Sequence, residues 1–153
     1  MLFGQFVGTW NMDVRFFDDT GTRVYQKPGE WSFAWVLDGR AIQDVLIFPD
    51  LDPPFSAGGE RRIGTTLRLY DPEHDTWQVV WVGATSGLVV VLSGRQVGDE
   101  IWIEGREEDG TLYRWMFTDI GTDHFLWKGL VSAEGSDTWI LRQEMAARRR
   151  KAL

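Results

Sequence analysis

Apolar and polar side chains alternate along most of the chain with a period of two residues. In the first such run Trp10, Met12 and Val14 share one parity, and later runs repeat the pattern. Alternation of this kind is typical of β-strands, because successive side chains of a strand point to opposite faces. We predict ten strands, at residues 7–17, 22–37, 41–48, 61–70, 77–83, 88–96, 101–107, 111–119, 124–132 and 138–147.

Short segments rich in Gly and Asp separate the predicted strands. Segments such as DDTG at 18–21 and EDG at 108–110 are typical of hairpin turns. One connection is longer, PDLDPPFSAGGE at 49–60. Loops of about this length are often functional, so it is either a lid over a binding site or an inert surface loop.

Ten strands joined by short turns form a meander, which as an open sheet would leave two long edges exposed. An even number of strands lets the first and last pair antiparallel, and ten strands leave room for a ligand. We therefore predict an all-β fold: a single antiparallel up-and-down β-barrel of about ten strands with little helix. A flattened barrel or two-sheet sandwich is the alternative, and QEMAARRRKAL could add a last turn of helix.

Composition limits the classes of protein to consider. The 153 residues suit one domain, 1–153, with a basic tail at 148–153. The chain has no cysteine, which excludes disulfides and thiolate metal sites, and a net charge of −7, which argues against nucleic acid and anionic membranes as partners. Without a signal-peptide pattern or a long apolar run, we expect a cytoplasmic protein. Nine tryptophans and nine phenylalanines either fill a core or line a cavity.

Gly8-Thr9-Trp10, at the head of the first strand, resembles the G-x-W signature of the lipocalins and wider calycins. The end of the chain, FLWKGLVSAEGSDTWILRQEMAARR, is similar to uncharacterised small bacterial lipocalin-like proteins. The resemblance implies that Trp10 closes one end of the barrel and that a basic side chain, Arg142 or Arg148, packs across its indole. DDTG stands where fatty-acid-binding proteins carry a two-helix lid, and lipocalins usually have eight strands, so the resemblance implies no specific ligand.

Two residues are candidates for acid–base chemistry. Asp44 shares its parity with Ile42 and Leu46, so its carboxylate needs a partner if that face is buried. The candidate partners on other strands are Arg62, Arg68, Arg114 and Lys128. Asp44 is either a structural or outer-face residue or a group that meets a ligand. His124 opens the ninth strand, and it points into the cavity if Phe125 faces outward; otherwise it is a rim histidine bonded to a turn.

Aromatic and basic residues of several strands form the predicted ligand-binding wall. These residues are Trp35, Arg62, Trp81, Trp102, Tyr113 and Trp115. Such a wall suits a planar or acidic ligand, although Trp102 and its neighbours could instead belong to an exterior salt-bridge ladder. His74 lies in the turn DPEHDT, which we expect to be solvated, and we predict no metal site and no cofactor.

The sequence supports three hypotheses for function. The first is binding of a small apolar or aromatic molecule in the barrel cavity. The second is a cofactor-independent lyase or isomerase that uses Asp44 and His124 in the same cavity, so whether the protein is an enzyme stays open. The third is an interaction protein, such as a homodimer, because strands 88–92 and 124–131 are apolar on both faces.

Overall fold

The computed structural model describes residues 2–48, 62–133 and 136–151. Ten antiparallel strands form one closed barrel in which each strand pairs with its neighbours in sequence and β1 pairs with β10, which confirms the predicted architecture. The elements are a 3₁₀ turn (Gly4–Phe6), β1 (Gly8–Phe17), β2 (Arg23–Val36), β3 (Ala41–Phe48), β4 (Arg62–Asp71), β5 (Thr76–Gly83), β6 (Leu88–Val97), β7 (Glu100–Arg106), β8 (Leu112–Thr118), β9 (His124–Ser132) and β10 (Ile140–Arg149).

The C-terminal segment is a strand. The last turn of helix considered at QEMAARRRKAL was wrong, because β10 continues to Arg149 and pairs with β1 from Gln143 to Arg149. Arg148 and Arg149 of the predicted basic tail therefore belong to the sheet. The candidate lid at 49–60 lies outside the described residues. No helix in the described part of the chain is long and apolar enough to cross a membrane.

One end of the barrel, which we call the closed end, is filled by aromatic side chains. The 3₁₀ turn places Phe3 and Phe6 inside the barrel, and both are fully buried. The Phe6 ring stacks on Phe117 with centroids 4.7 Å apart and meets Phe125 at 5.0 Å. This half of the barrel is a solid core, which burial of large apolar rings stabilises.

Trp10 belongs to this closed end, as the resemblance to lipocalins implies. Its indole is fully buried and its Nε1 donates a hydrogen bond of 2.8 Å to the carbonyl of Phe6. The guanidinium of Arg149 lies 4.2 Å from the indole centroid, because β1 and β10 pair Trp10 with Arg149. The expectation that Arg142 or Arg148 makes this cation–π contact was therefore wrong, because the register places Arg149 opposite Trp10.

Gly8 makes room for that arginine. Its backbone has a φ of +130°, which side chains rarely adopt, and a Cβ built there would lie 2.9 Å from Nη1 of Arg149. The same Nη1 donates to the carbonyl of Val7 at 2.7 Å. The absence of a side chain at Gly8 thus leaves space for Arg149, which packs across Trp10.

Candidate functional site

The opposite end of the barrel, the open end, contains a cavity of about 200 Å³. Its walls include residues at the open-end limits of several strands, such as Phe48 of β3, Leu88 of β6 and Val131 of β9. Aromatic side chains supply much of the lining. They are Trp31, Phe48, Trp81, Tyr113, Trp115 and Trp127.

The indoles of the cavity contact one another across the wall. Trp115 lies 6.3 Å from Trp81 in an edge-to-face arrangement and 5.9 Å from Trp127. These distances are within the range over which aromatic pairs attract. The cavity therefore presents a continuous aromatic surface to any molecule that enters it.

Two glycines allow the tryptophans to lie flat against the wall. A Cβ at Gly64 would lie 2.0 Å from Cη2 of Trp81, and a Cβ at Gly129 would lie 2.7 Å from Cη2 of Trp127. Any larger residue at these positions would force an indole toward the barrel axis. The volume of the cavity thus depends on missing side chains beneath its rings.

The floor of the cavity contains a buried ion pair. Nη1 of Arg68 donates to Oδ2 of Asp44 at 2.5 Å, and each residue is only 1% exposed. The second carboxylate oxygen accepts the backbone N–H of Thr66 at 2.9 Å. Arg68, one of the four predicted partners, is therefore the actual partner of Asp44.

The environment of this pair is apolar on the side of the core. The Arg68 guanidinium carbon lies 5.0 Å from the ring centroid of Phe3 and 5.3 Å from that of Phe33, so the rings present their faces to its charge. Burial raises the pKa of Asp44 above its ordinary value, although the Arg68 charge acts in the opposite direction. Arg68 lines the cavity, whereas Asp44 lies behind it.

A β-bulge places a second arginine at the mouth of the cavity. The β9–β10 register shifts between Leu141 and Gln143, so Arg142 is an extra residue in the ladder. Both Arg142 and Gln143 consequently line the cavity. Arg142 forms an ion pair with Asp19 in the turn between β1 and β2.

Tyr113 lines the same cavity from β8. Its hydroxyl donates a hydrogen bond to the carboxylate of Glu107 in the adjoining turn. Burial, and after it the hydrogen bond to Glu107 and the charge of that carboxylate, raise the pKa of Tyr113, so the phenol keeps its proton at neutral pH. The cavity-side polar group of Tyr113 is therefore already engaged.

The structure brings together only part of the predicted ligand-binding wall. Trp81, Tyr113 and Trp115 line the cavity. Trp35 does not, because it lies at the closed-end limit of β2 and is 41% exposed. The side chain of Arg62 lies outside what the structure describes.

Trp102 was also placed wrongly, since it lies on the outer face of β7. Arg114 sits 4.4 Å from the centroid of Trp102 and donates to Glu104, which also accepts from Arg95. These residues form the exterior salt-bridge ladder that the sequence analysis gave as the alternative for Trp102. The inward side of β7 instead carries Ile101 and Ile103, both buried.

His124 does not face the cavity. Phe125 and Trp127 point inward, so His124 lies on the outer face at the closed end, where its Nε2 is 3.7 Å from Oδ1 of Asp119. Of the two alternatives for His124, the inward one was therefore wrong, and the structure does not bring His124 together with Asp44. His74 lies in an exposed turn, with its Nδ1 2.7 Å from Oδ2 of Asp71.

Sequence analysis missed several cavity residues. Trp31 has the same parity as Phe33, which is the signal that could have identified it. Trp127 shares the parity of Phe125, whose orientation was left open, and Arg142 could not be placed because the bulge leaves no pattern in the sequence. Arg68 alternates with Thr66 on β4, and this polar pair on an inward face was its signal.

Comparisons with known proteins show a likeness of fold. No protein-family model and no curated protein matches the chain. Among solved structures, it is similar to the S-type phycobiliprotein lyase CPES from Guillardia theta, with a TM-score of 0.68 and 9% sequence identity, over 99% of this chain and 92% of that one. At this identity the likeness shows the fold alone, which agrees with the lipocalin-like barrel expected from the sequence.

Proposed function

We propose that this protein binds a small, planar, largely apolar molecule in the cavity at the open end. The observation that carries the proposal is the pairing of a solid closed end with a tryptophan-lined cavity. Cavities that bind small molecules are mostly apolar with a few polar groups, and Arg68, Thr66 and Gln143 are such groups here. An aromatic ligand would lose its contact with water and gain the faces and edges of four indoles.

Binding is favoured over catalysis by the placement of the acid–base candidates. Both oxygens of Asp44 already accept hydrogen bonds, from Thr66 and Arg68. His124 lies on the outer face near Asp119. An acid–base pair for the predicted lyase or isomerase chemistry would need two groups within reach of one bound molecule.

A lyase remains the second candidate function, and one observation favours it. A solved structure of similar fold is named a phycobiliprotein lyase. To test this candidate, the isolated chromophore of a phycobiliprotein is offered to the protein as a ligand, beside smaller aromatic molecules. Binding of this chromophore in preference to smaller aromatic molecules would support the second candidate.

The first test measures ligand binding by quenching of tryptophan fluorescence, with 2-naphthamide as a neutral aromatic probe. We expect wild-type protein to bind it and Gly64→Ala to bind it about tenfold more weakly, because the added methyl group moves the Trp81 indole into the cavity. The control is Gly94→Ala, another inward glycine, where the nearest atom to an added Cβ is 3.4 Å away.

Circular dichroism would first establish that both variants are folded. Equal affinity of Gly64→Ala and wild type, or equal weakening by Gly94→Ala, would place the probe outside this cavity. Native mass spectrometry of the protein purified from its host would identify a retained natural ligand.

A further inference from the structure

The charges around the cavity indicate what kind of molecule it accepts. In the described part of the chain, the cavity lining contains two arginines, Arg68 and Arg142, and no Asp or Glu. This distribution is the reverse of that in the whole protein, which has 23 acidic and 16 basic residues. Positive side chains in a cavity lining attract an anionic group, to the extent that their present acidic partners, Asp44 and Asp19, can be exchanged for it.

The two arginines differ in availability. Arg68 is held by Asp44 at 2.5 Å in a place where its side chain is 2% exposed, so removing its partner would leave a buried charge alone. Arg142 is paired with Asp19, whose side chain is 74% exposed. Asp19 can return to water at little cost, because exposed ion pairs contribute little to stability.

From this difference we propose that the ligand is an aromatic carboxylate and that Arg142 binds its carboxylate at the mouth of the cavity, in exchange for Asp19. The proposal rests on the proposed function and names its substrate class. The guanidinium fork matches the two oxygens of a carboxylate. The ring system enters between the tryptophans, and the charged end stays near solvent.

Gln143 adds a second donor beside Arg142. Its side chain lines the cavity, and its Nε2 donates to Sδ of Met145 at 3.3 Å. A thioether sulfur is a weak acceptor, so a carboxylate oxygen would replace it with a gain in hydrogen bonding. The bulge is what brings these two consecutive side chains to the same cavity.

The test compares 2-naphthoate with 2-naphthamide, which match in size and differ in charge. We expect wild-type protein to bind the naphthoate about tenfold more tightly, since a charge-assisted contact replaces a neutral one. Arg142→Met should bring the two affinities together by weakening only the naphthoate. Asp19→Asn should strengthen naphthoate binding a few-fold and leave the naphthamide unchanged. The control Arg150→Met removes an equally charged arginine that pairs with Glu30 on the outer surface, and it should preserve the preference.

The outcomes separate the two proposals. If neither probe binds, the proposed function fails. If wild-type protein binds both probes with equal affinity, the cavity binds aromatic molecules but the carboxylate proposal is overturned. If the preference exists and survives Arg142→Met, the assignment of Arg142 is overturned.

A second inference concerns the outside of the barrel. Strands β3 to β6 expose a contiguous set of apolar side chains, which we call the outer patch. It consists of Val45, Ile63, Leu67, Leu69, Val82, Val89 and Val91. The register places Val82 beside Val89, two members on adjacent strands, and it places Val91 beside the partly buried Val80. Val89 and Val91 are 61% and 68% exposed.

We infer that the outer patch binds a second copy of this chain. It presents on the order of 500 Å² of apolar surface, which is within the roughly 300–600 Å² of the largest, often functional, patch on a monomer and is a large part of the roughly 800 Å² that each partner of a stable complex buries. Its polar neighbours on the ladder, Gln43, Thr65 and Gln78, are uncharged. Since the protein has a net charge of −7, two copies repel each other least where an uncharged face meets its equivalent.

Sedimentation velocity over a range of protein concentrations tests this inference. We expect a dimer for wild-type protein and a monomer for Val91→Glu, because the introduced carboxylates would face each other or lose water at the interface. Val24→Glu is the matched control, since Val24 is 50% exposed on β2 outside the patch, and it should remain dimeric. A wild-type monomer at every concentration, or a Val91→Glu dimer, would overturn the inference.

Discussion

Asp44→Asn is expected to lower the free energy of unfolding by about 3–5 kcal/mol, the cost of leaving a buried charge without its partner. Arg68 cannot lose its proton, and its side chain is almost fully inside the barrel. Once the Asp44 carboxylate is removed, Arg68 can therefore neither become neutral nor reach water. Asparagine keeps the shape of the side chain and an acceptor for the Thr66 N–H, which isolates the effect of charge. Urea unfolding followed by circular dichroism at neutral pH measures the change.

The complementary variant Arg68→Met should behave differently with pH. Burial already raises the pKa of Asp44, and without the arginine that pKa rises further because the opposing charge is gone. Above the ordinary pKa of about 4, the folded chain then holds a proton that the unfolded chain has released. The free energy of unfolding therefore falls as pH rises, by about 1.4 kcal/mol per pH unit up to the folded-state pKa. Asp44→Asn should show no such additional slope.

The double variant Asp44→Asn with Arg68→Met serves as the control. Neither residue is then charged, so we expect the double variant to be more stable than Asp44→Asn alone. Additive losses in the double variant would contradict the interpretation, because they would mean that each residue stabilises the barrel independently of the other's charge.

Trp10→Ala is expected to cost a similar amount, about 3–5 kcal/mol, the range found for buried Trp and Phe truncations. The indole is fully buried, packs against Phe125 with centroids 4.7 Å apart and bonds the carbonyl of Phe6. Its loss also deprives Arg149 of its cation–π partner, although Arg149 keeps hydrogen bonds to the carbonyls of Val7 and Gln5. The midpoint and slope of urea unfolding measure the change.

Trp115→Ala provides the comparison for Trp10→Ala. Trp115 borders a cavity that already exists, so its removal enlarges that cavity and exposes less newly unpacked surface than removal of a ring in the solid half. We expect a clearly smaller loss of stability together with weaker binding of 2-naphthamide. Equal losses for the two tryptophans would contradict the division of the barrel into a solid half and a cavity half.

The strands and their closure could be predicted because alternation is a local signal. Runs such as Trp10 to Phe16 carry it within a few residues, and turns such as EDG mark where each run ends. The even number of strands then favoured closure, and the β1–β10 ladder supplies it. The position of Trp10 also agreed with the sequence, through its resemblance to G-x-W proteins.

The inward faces could not all be predicted, because they depend on register between strands. A single bulge at Arg142 reverses the parity of the residues beyond it, and the flanking residues Leu141 and Gln143 carry no sequence signal that indicates a bulge. The same uncertainty led to Arg149 being overlooked as the cover of Trp10. The inward alternatives for His124 and Trp102 could not be excluded from the sequence, because their strands carry apolar residues of both parities.

The glycines beneath the tryptophans allow the ligand selectivity of the cavity to change without substitution of a residue that contacts the ligand. Gly64 and Gly129 lie in the wall, so a molecule in the cavity would meet the indoles and not the backbone behind them. Substitutions at Gly64 or Gly129 would therefore change which ligands the cavity accepts without contacting a ligand, because each would tilt the indole that covers it. The packing of the phenylalanine rings at the closed end would not change, so the barrel would stay rigid.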